Sequence, residues 1–259
     1  MRAVIAFSFA IFFFTSGLLA DDKKDVLDIA TRIKNKYGIT VSVTKTFELN
    51  DISSTIAKSD NDWADLLRYA HLLSDELKKY TPSFIRSLGL TRIMIVKELS
   101  KDTKSYSVIA VPKYDMLLLD FQRGMFKKKF QRHVFHHQIF LYAQNKFAEY
   151  GYIKDKKWAK LRPAKFEYGS DSTLLISEPG MDELSYPYKG IINTYATKGL
   201  LEDQAEIFTA IMMIEHYKDF ANMMQFDPKL RTKVAMMKKF ILKLSKGMRE
   251  HYLSKVVLI

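Results

Sequence analysis

Apolar residues recur at helical spacing from Asp22 to Lys36, at Val26, Leu27, Ile29, Ala30 and Ile33, and Gly38 ends the run. Ile39-Thr-Val-Ser-Val-Thr44 alternates and is β-branched, which predicts a strand. Ser59-Asp60-Asn61-Asp62 can cap a helix running from about Trp63 to Lys79. Pro82 opens a short helical turn that Gly89 closes. Thr91–Val96, Tyr106–Val111 and Met116–Asp120 read as three further strands, the last two joined by a turn near Pro112-Lys113. A long apolar-periodic run then predicts a helix from about Arg123 to Tyr150.

Past Gly151 the periodicity fades. Gly151 to Lys189 holds Pro163, Pro179 and Pro187, and reads as a long loop whose aromatics (Trp158, Phe166, Tyr168, Tyr186, Tyr188) argue for order. Glu202 to Tyr217 and Pro228 to Leu253 are predicted helices. The order is helix, strand, helix, three strands, long helix, then a mainly helical remainder. It predicts an α+β layer arrangement with a small mixed sheet. The chain divides into an α/β part, about residues 21–150, and a mainly helical part, about 151–259, within one domain. No internal repeat or low-complexity segment interrupts it.

The first twenty residues stand apart. Met1-Arg2 precedes an apolar run from Ala3 to Phe14, then Thr-Ser-Gly-Leu-Leu-Ala20 and a charged start at Asp21-Asp-Lys-Lys24. That is the layout of an export signal, residues 1–20, cleaved after Ala20. The run is short against the about 20 apolar residues of a membrane span, so no stable span is expected after cleavage, and an uncleaved anchor is the alternative. The expectation is an exported protein, periplasmic or extracellular. With no cysteine it has no disulfide to staple it, so its core must hold it together.

The net charge of +12 changes the picture little. The lysines are spread along the chain and accompany no nucleic-acid-binding motif. They read as solubilising residues, and no nucleic-acid partner is expected. Attachment to an anionic surface remains a separate class of reading.

The candidate chemistry lies in Phe130–Gln144. Three of the six histidines, His133, His136 and His137, fall there. On a helix His133 and His137 are i and i+4 and share a face, a spacing that offers two nitrogens to one metal ion. A core helix with some histidines is the plain alternative. His71, His216 and His251 are isolated and read as surface or satisfied core residues. The Met212-Met213, Met223-Met224 and Met236-Met237 pairs read as core filler. There is no phosphate-cradling Gly-rich loop and no nucleophile elbow.

Phe135-His-His-Gln-Ile-Phe-Leu141 resembles the Phe-His-His-Glu-Ile-Phe-His core of a group of secreted zinc-binding metallopeptidases. Two further blocks resemble that group in the same order. Trp158-Ala-Lys-Leu-Arg-Pro163 with Phe166-Glu-Tyr-Gly169 is similar to its Trp-x-x-Leu-Asn-Pro…Phe-x-Tyr-Gly segment. Gly190-Ile-Ile-Asn-Thr-Tyr-Ala196 with Glu202-Asp-Gln-Ala-Glu-Ile-Phe208 is similar to its Gly-Phe-x-x-x-Tyr-Ala…Glu-Asp-Arg-Ala-Glu-x-Phe segment. The resemblance spans about Phe130 to Met213. It implies a zincin-like fold of the class that takes its third zinc ligand from a distant glutamate and includes the catalytic domain of anthrax lethal factor. It places His137 and Glu202 at ligand positions, Glu206 beside them as an orienting residue, and Tyr195 where a hydroxyl would stabilise an oxyanion.

Against that pattern the chain departs twice. Gln138 stands at the general-base position and Leu141 at the second histidine. An amide cannot accept and return a proton near neutral pH, and losing general-base help costs about 10²- to 10⁴-fold. Leucine binds no metal. Zinc would then have two protein ligands, His137 and Glu202, too few for the three that a catalytic site uses. His133 and His136 are the substitutes at hand. Pairing His133 with His137 would move the metal about 5.4 Å, one helical pitch, and put Val134 at the base position. The expectation is an exported, non-catalytic relative of zinc metallopeptidases that binds a peptide or protein, using Met116–Asp120 or Tyr106–Val111 as an edge strand. The rival is an active zinc hydrolase with a rearranged metal site.

Overall fold

The computed structural model describes residues 14–49, 51–147, 156–164, 166–169, 184, 188–213 and 219–254. The expected signal at residues 1–20 falls largely outside them. Helix α1 (Phe14–Tyr37) runs back past the expected junction after Ala20. No helix among the described residues is long and apolar enough to cross a membrane.

The protein is a mixed α+β structure. A seven-stranded sheet comprises β1 (Thr40–Ser42), β2 (Glu48–Leu49), β3 (Ile52–Thr55), β4 (Arg92–Lys101), β5 (Lys104–Ser105), β6 (Val108–Val111) and β7 (Met116–Asp120). Its path is β2-β3-β4-β7-β6. β4 is the spine. Its first half is parallel to β1 and to β7, with Arg92 opposite Thr40 and Met116. Its second half is antiparallel to β3 and β5. Glu98, at φ 52°, marks the bend between the halves. The expected strand at Thr91–Val96 is therefore only the first half of β4, and β2, β3 and β5 are additions. The additions are short and polar, with no alternation to announce them. Of the two strands offered as the edge, β7 is interior and wholly buried, and β6 ends the path.

The helices are α2 (Asp60–Leu77), α3 (Pro82–Leu88), α4 (Lys128–Phe147), α5 (Lys156–Lys160), α6 (Leu200–Met212), α7 (Phe220–Phe226) and α8 (Pro228–Leu244). α1 packs on α2 and β1 through Val26, Ile29 and Ile33, while Leu27 stays 45% exposed. Ser59 and Asp62 form a capping box at the start of α2. Asp62 does more than cap: its carboxylate also takes Lys97 Nζ at 2.7 Å and Gln122 Nε2 at 3.2 Å.

α4 packs against β6 and α2 on one side and α6 on the other, and α6 rests on α8. α4 starts at Lys128 rather than Arg123. Asp120 explains this: its Oδ1 accepts from the amides of Gln122 and Arg123, which fold into a turn, and Gly124 follows at φ +71°. The expected end of that helix, at 148–150, lies outside the described residues, as do 214–218 at the expected end of α6. α8 stops at Leu244 instead of Leu253. There Ser245 turns extended, its hydroxyl held by Thr81 and Ser83 at 3.0 and 2.9 Å, before a separate helical turn at Arg249–Leu253. The methionine pairs are core filler where described: Met212, Met213, Met224 and Met237 are buried.

Candidate metal centre

α4 is buried almost all round, from Phe130 to Gln144 apart from Arg132. Its polar side chains must therefore find partners inside the protein. α6 supplies them. Gly199 opens α6, and Glu202 and Asp203 lie in its first turn, where the helix's positive end favours carboxylates. Glu202 and Glu206, one turn apart, face the histidines of α4.

His137 sits between the two glutamates. Its Nδ1 is 2.8 Å from Oε1 of Glu206 and its Nε2 is 2.9 Å from Oε2 of Glu202. His133 brings its Nε2 to the same Glu206 Oε1, at 3.0 Å. Asn193 donates from Nδ2 to the other oxygen of Glu206, at 2.5 Å, and its own Oδ1 accepts from the amide of Ala196 at 2.8 Å. The Tyr195 ring stands edge-on to His137, centroids 5.5 Å apart. None of these side chains is more than 3% exposed.

A carboxylate offers only lone pairs, so each contact to His137 requires a hydrogen on the ring nitrogen. With both carboxylates ionised, both nitrogens need one, which makes the ring an imidazolium. Burial pulls its pKa down, but the bonds and charges of Glu202 and Glu206 outweigh burial and raise it to about 9. Burial pushes Glu206 up, and the charges and bonds of His133 and His137 overcome that and hold it at about 2.

His133, His137 and Glu206 each offer a donor atom within 4.8 Å of the others, so this buried group could hold a metal ion. Two imidazoles and a carboxylate suit zinc. The group differs from the ligand pair that resemblance implied: Glu206 stands between both histidines, and Glu202 occupies the far nitrogen of His137. A ligating nitrogen needs its lone pair, so a metal would have to displace protons that now bind the glutamates. Gln138 is buried, and its Nε2 has no hydrogen-bond partner among the described residues. Leu141 belongs to the hydrophobic core.

His136 points elsewhere. Its Nδ1 is 2.6 Å from the Tyr80 hydroxyl and its Nε2 is 2.7 Å from Glu76. Glu76 also pairs with Lys79 at 2.7 Å and Arg132 at 3.2 Å. Burial would raise its pKa, but His136 and Lys79 lower it to about 2. His136 thus bridges α2 and α4 and is not in the group formed by His133, His137 and Glu206. His71 is exposed, His251 lies 2.7 Å from the Lys78 carbonyl, and His216 is outside the described residues.

A neighbouring face of α6 carries a second buried cluster, which sequence reasoning did not single out. Asp203 Oδ2 accepts from Trp158 Nε1 at 2.7 Å, from the Tyr168 hydroxyl at 2.7 Å and from Lys233 Nζ at 2.5 Å. Lys233 also donates to the Gly190 carbonyl and lies over the Trp158 ring. The blocks that resembled a family on paper therefore converge on one helix: Trp158 and Tyr168 hold Asp203, while Asn193 holds Glu206. The signal was present in those blocks, because each carried a polar side chain among apolar neighbours. Glu76 could also have been found, since it follows Leu73 by three residues on the buried face of α2.

Comparison of the chain with protein-family models, with curated proteins and with solved structures finds no match.

Proposed function

We propose that this protein is an exported, non-catalytic relative of zinc metallopeptidases, in which a protonated histidine stands where a metal would be held. The observation that carries this reading is His137, with both ring nitrogens engaged by Glu202 and Glu206 in a fully enclosed site. The departures at Gln138 and Leu141 support it independently, since one removes the base and the other a ligand. Export rests on the layout of residues 1–20. The ligand would be an extended peptide or protein segment pairing with β6, which ends the sheet path and packs beside α4. The buried histidine pocket itself would not receive it.

A second reading has its own observation. The grouping of His133, His137 and Glu206 would suit zinc, and the protein would then be a hydrolase with a rearranged site. Metal analysis of the purified protein separates the two. The first reading expects no stoichiometric zinc and no cleavage of an unstructured protein. Stoichiometric zinc that vanishes in His137→Ala and Glu206→Ala, with cleavage blocked by a chelator, would establish the second.

A further inference from the structure

The turn between β7 and α4 displays Phe126 to solvent. It is 85% exposed, the most exposed large hydrophobic side chain among the described residues. Single exposed apolar residues are ordinary on protein surfaces. This one is not a loose side chain on a loose loop. Asp120, itself buried, takes the amides of Gln122 and Arg123 at 2.9 and 3.2 Å. The Gln131 amide, from within α4, ties down the carbonyls of Phe121 and Arg123 at 3.1 and 3.2 Å. Lys127 N closes on the Gly124 carbonyl at 2.8 Å. Gly124 has φ +71°, and a Cβ there would come within 2.6 Å of Phe130. Buried polar side chains thus build a rigid turn whose tip is an aromatic ring in water.

The residues that follow that ring carry charge of one sign. Lys127, Lys128 and Lys129 follow it directly, and Lys127 and Lys128 are exposed with no ion-pair partner among the described residues. The acid that lines a small hollow with Met125 and Lys128 is Asp65, and Arg68 already pairs with it. The chain as a whole carries +12.

We infer that this turn is a membrane-surface contact, in which Phe126 enters the headgroup boundary of an anionic lipid bilayer and Lys127 and Lys128 lie against its phosphates. A ring that projects this far into solvent suits an interface that yields to it, rather than the shaped pocket of a protein partner. Interfacial aromatics and basic residues close to a charged leaflet are the two signals that reversible attachment combines. Each lysine should contribute about fivefold in affinity and the ring about tenfold or more.

The test uses the full chain and vesicles of phosphatidylcholine with and without phosphatidylglycerol. Phe126→Trp places a reporter at the tip. With anionic vesicles its emission should shift to the blue and be quenched by brominated acyl chains, beyond any change shown by the parent protein, whose tryptophans are Trp63 and Trp158. Lys127→Gln with Lys128→Gln should raise the vesicle concentration at half of that signal about 25-fold at low salt, the product of two lysine terms, and high salt should raise it likewise. No tip quenching in anionic vesicles overturns the proposal, even if the chain sediments with them through its apolar N-terminal residues. Equal quenching in neutral and anionic vesicles also overturns it. Salt-sensitive capture on an acidic polypeptide, lost in the lysine variant but unaffected by Phe126→Ser, would assign the turn to a protein partner instead.

Discussion

Nε2 of His137 stands 2.9 Å from Oε2 of Glu202, across the packed faces of α4 and α6. The two residues are far apart in sequence, and the resemblance placed both at one zinc. They do meet, at hydrogen-bonding distance. With Glu206 on the other nitrogen, the imidazolium neutralises buried carboxylates that would otherwise repel. Such a cluster is worth little over a hydrophobic replacement, yet breaking it from one side is costly.

Removing the cation alone exposes that asymmetry. His137→Ala leaves Glu202 and Glu206 buried together, and should cost about 3–5 kcal/mol. Glu202→Gln keeps an acceptor for Nε2 and should cost about 1–2 kcal/mol. Urea unfolding of the two variants against the parent checks both the size and the order.

The same cluster sets a pH dependence. The pKa of His137 is raised from 6.5 to about 9, so its contribution is complete below pH 6.5 and is lost as pH rises through about 9. Glu206 is lowered from 4.5 to about 2, so its contribution is complete above pH 4.5 and is lost as pH falls through about 2. Stability from this site should be greatest between those limbs, and an unfolding series across pH measures it. In Glu202→Gln the alkaline limb should move to lower pH.

Asp203 and Lys233 form a second buried pair whose partners, Trp158 and Gly190, lie within the segment between α4 and α6. Lys233→Met alone should cost about 3–5 kcal/mol by leaving Asp203 buried without its cation. Lys233→Met combined with Asp203→Asn should recover part of that loss. A double-mutant cycle in urea reads the coupling.

Gly124→Ala should destabilise the protein by roughly 1–3 kcal/mol, since alanine is strained at positive φ and its methyl would meet Phe130. Thermal unfolding checks the loss. Phe126→Ser, two residues on and exposed, should leave the melting temperature within a degree or two, as surface changes usually do.

The parts of this fold that were legible had strong periodicity or a distinct stop. Val26, Ile29 and Ile33 announced α1, and Gly89 at φ +71° closes α3 as its sequence implied. The interior of the long helix was also legible. Its start was not, because Asp120 looked like the end of a strand while its carboxylate organises the next turn. Pro228 to Leu253 read as one helix because its apolar spacing continues, and only Thr81 and Ser83, distant in sequence, hold Ser245 out of it. At the site, the i, i+4 spacings of His133 with His137 and of Glu202 with Glu206 were visible, and their meeting was expected. Which glutamate would stand between the histidines was not, since that depends on how α6 is rotated against α4. His136 shows the limit most plainly: its neighbour in sequence faces Glu202 and Glu206, while it faces Glu76 on α2 and Tyr80 just beyond that helix.

Nitrogen-15 NMR of the histidine rings tests the central claim most directly. If a proton occupies the place of a metal, the ring nitrogens of His137 should both carry hydrogen at pH 7 and titrate only near pH 9, without change when a chelator is added. A His137 ring that has lost a proton at pH 7, with a shift that reverts on chelation, would mean that a metal holds the site, and would contradict the account.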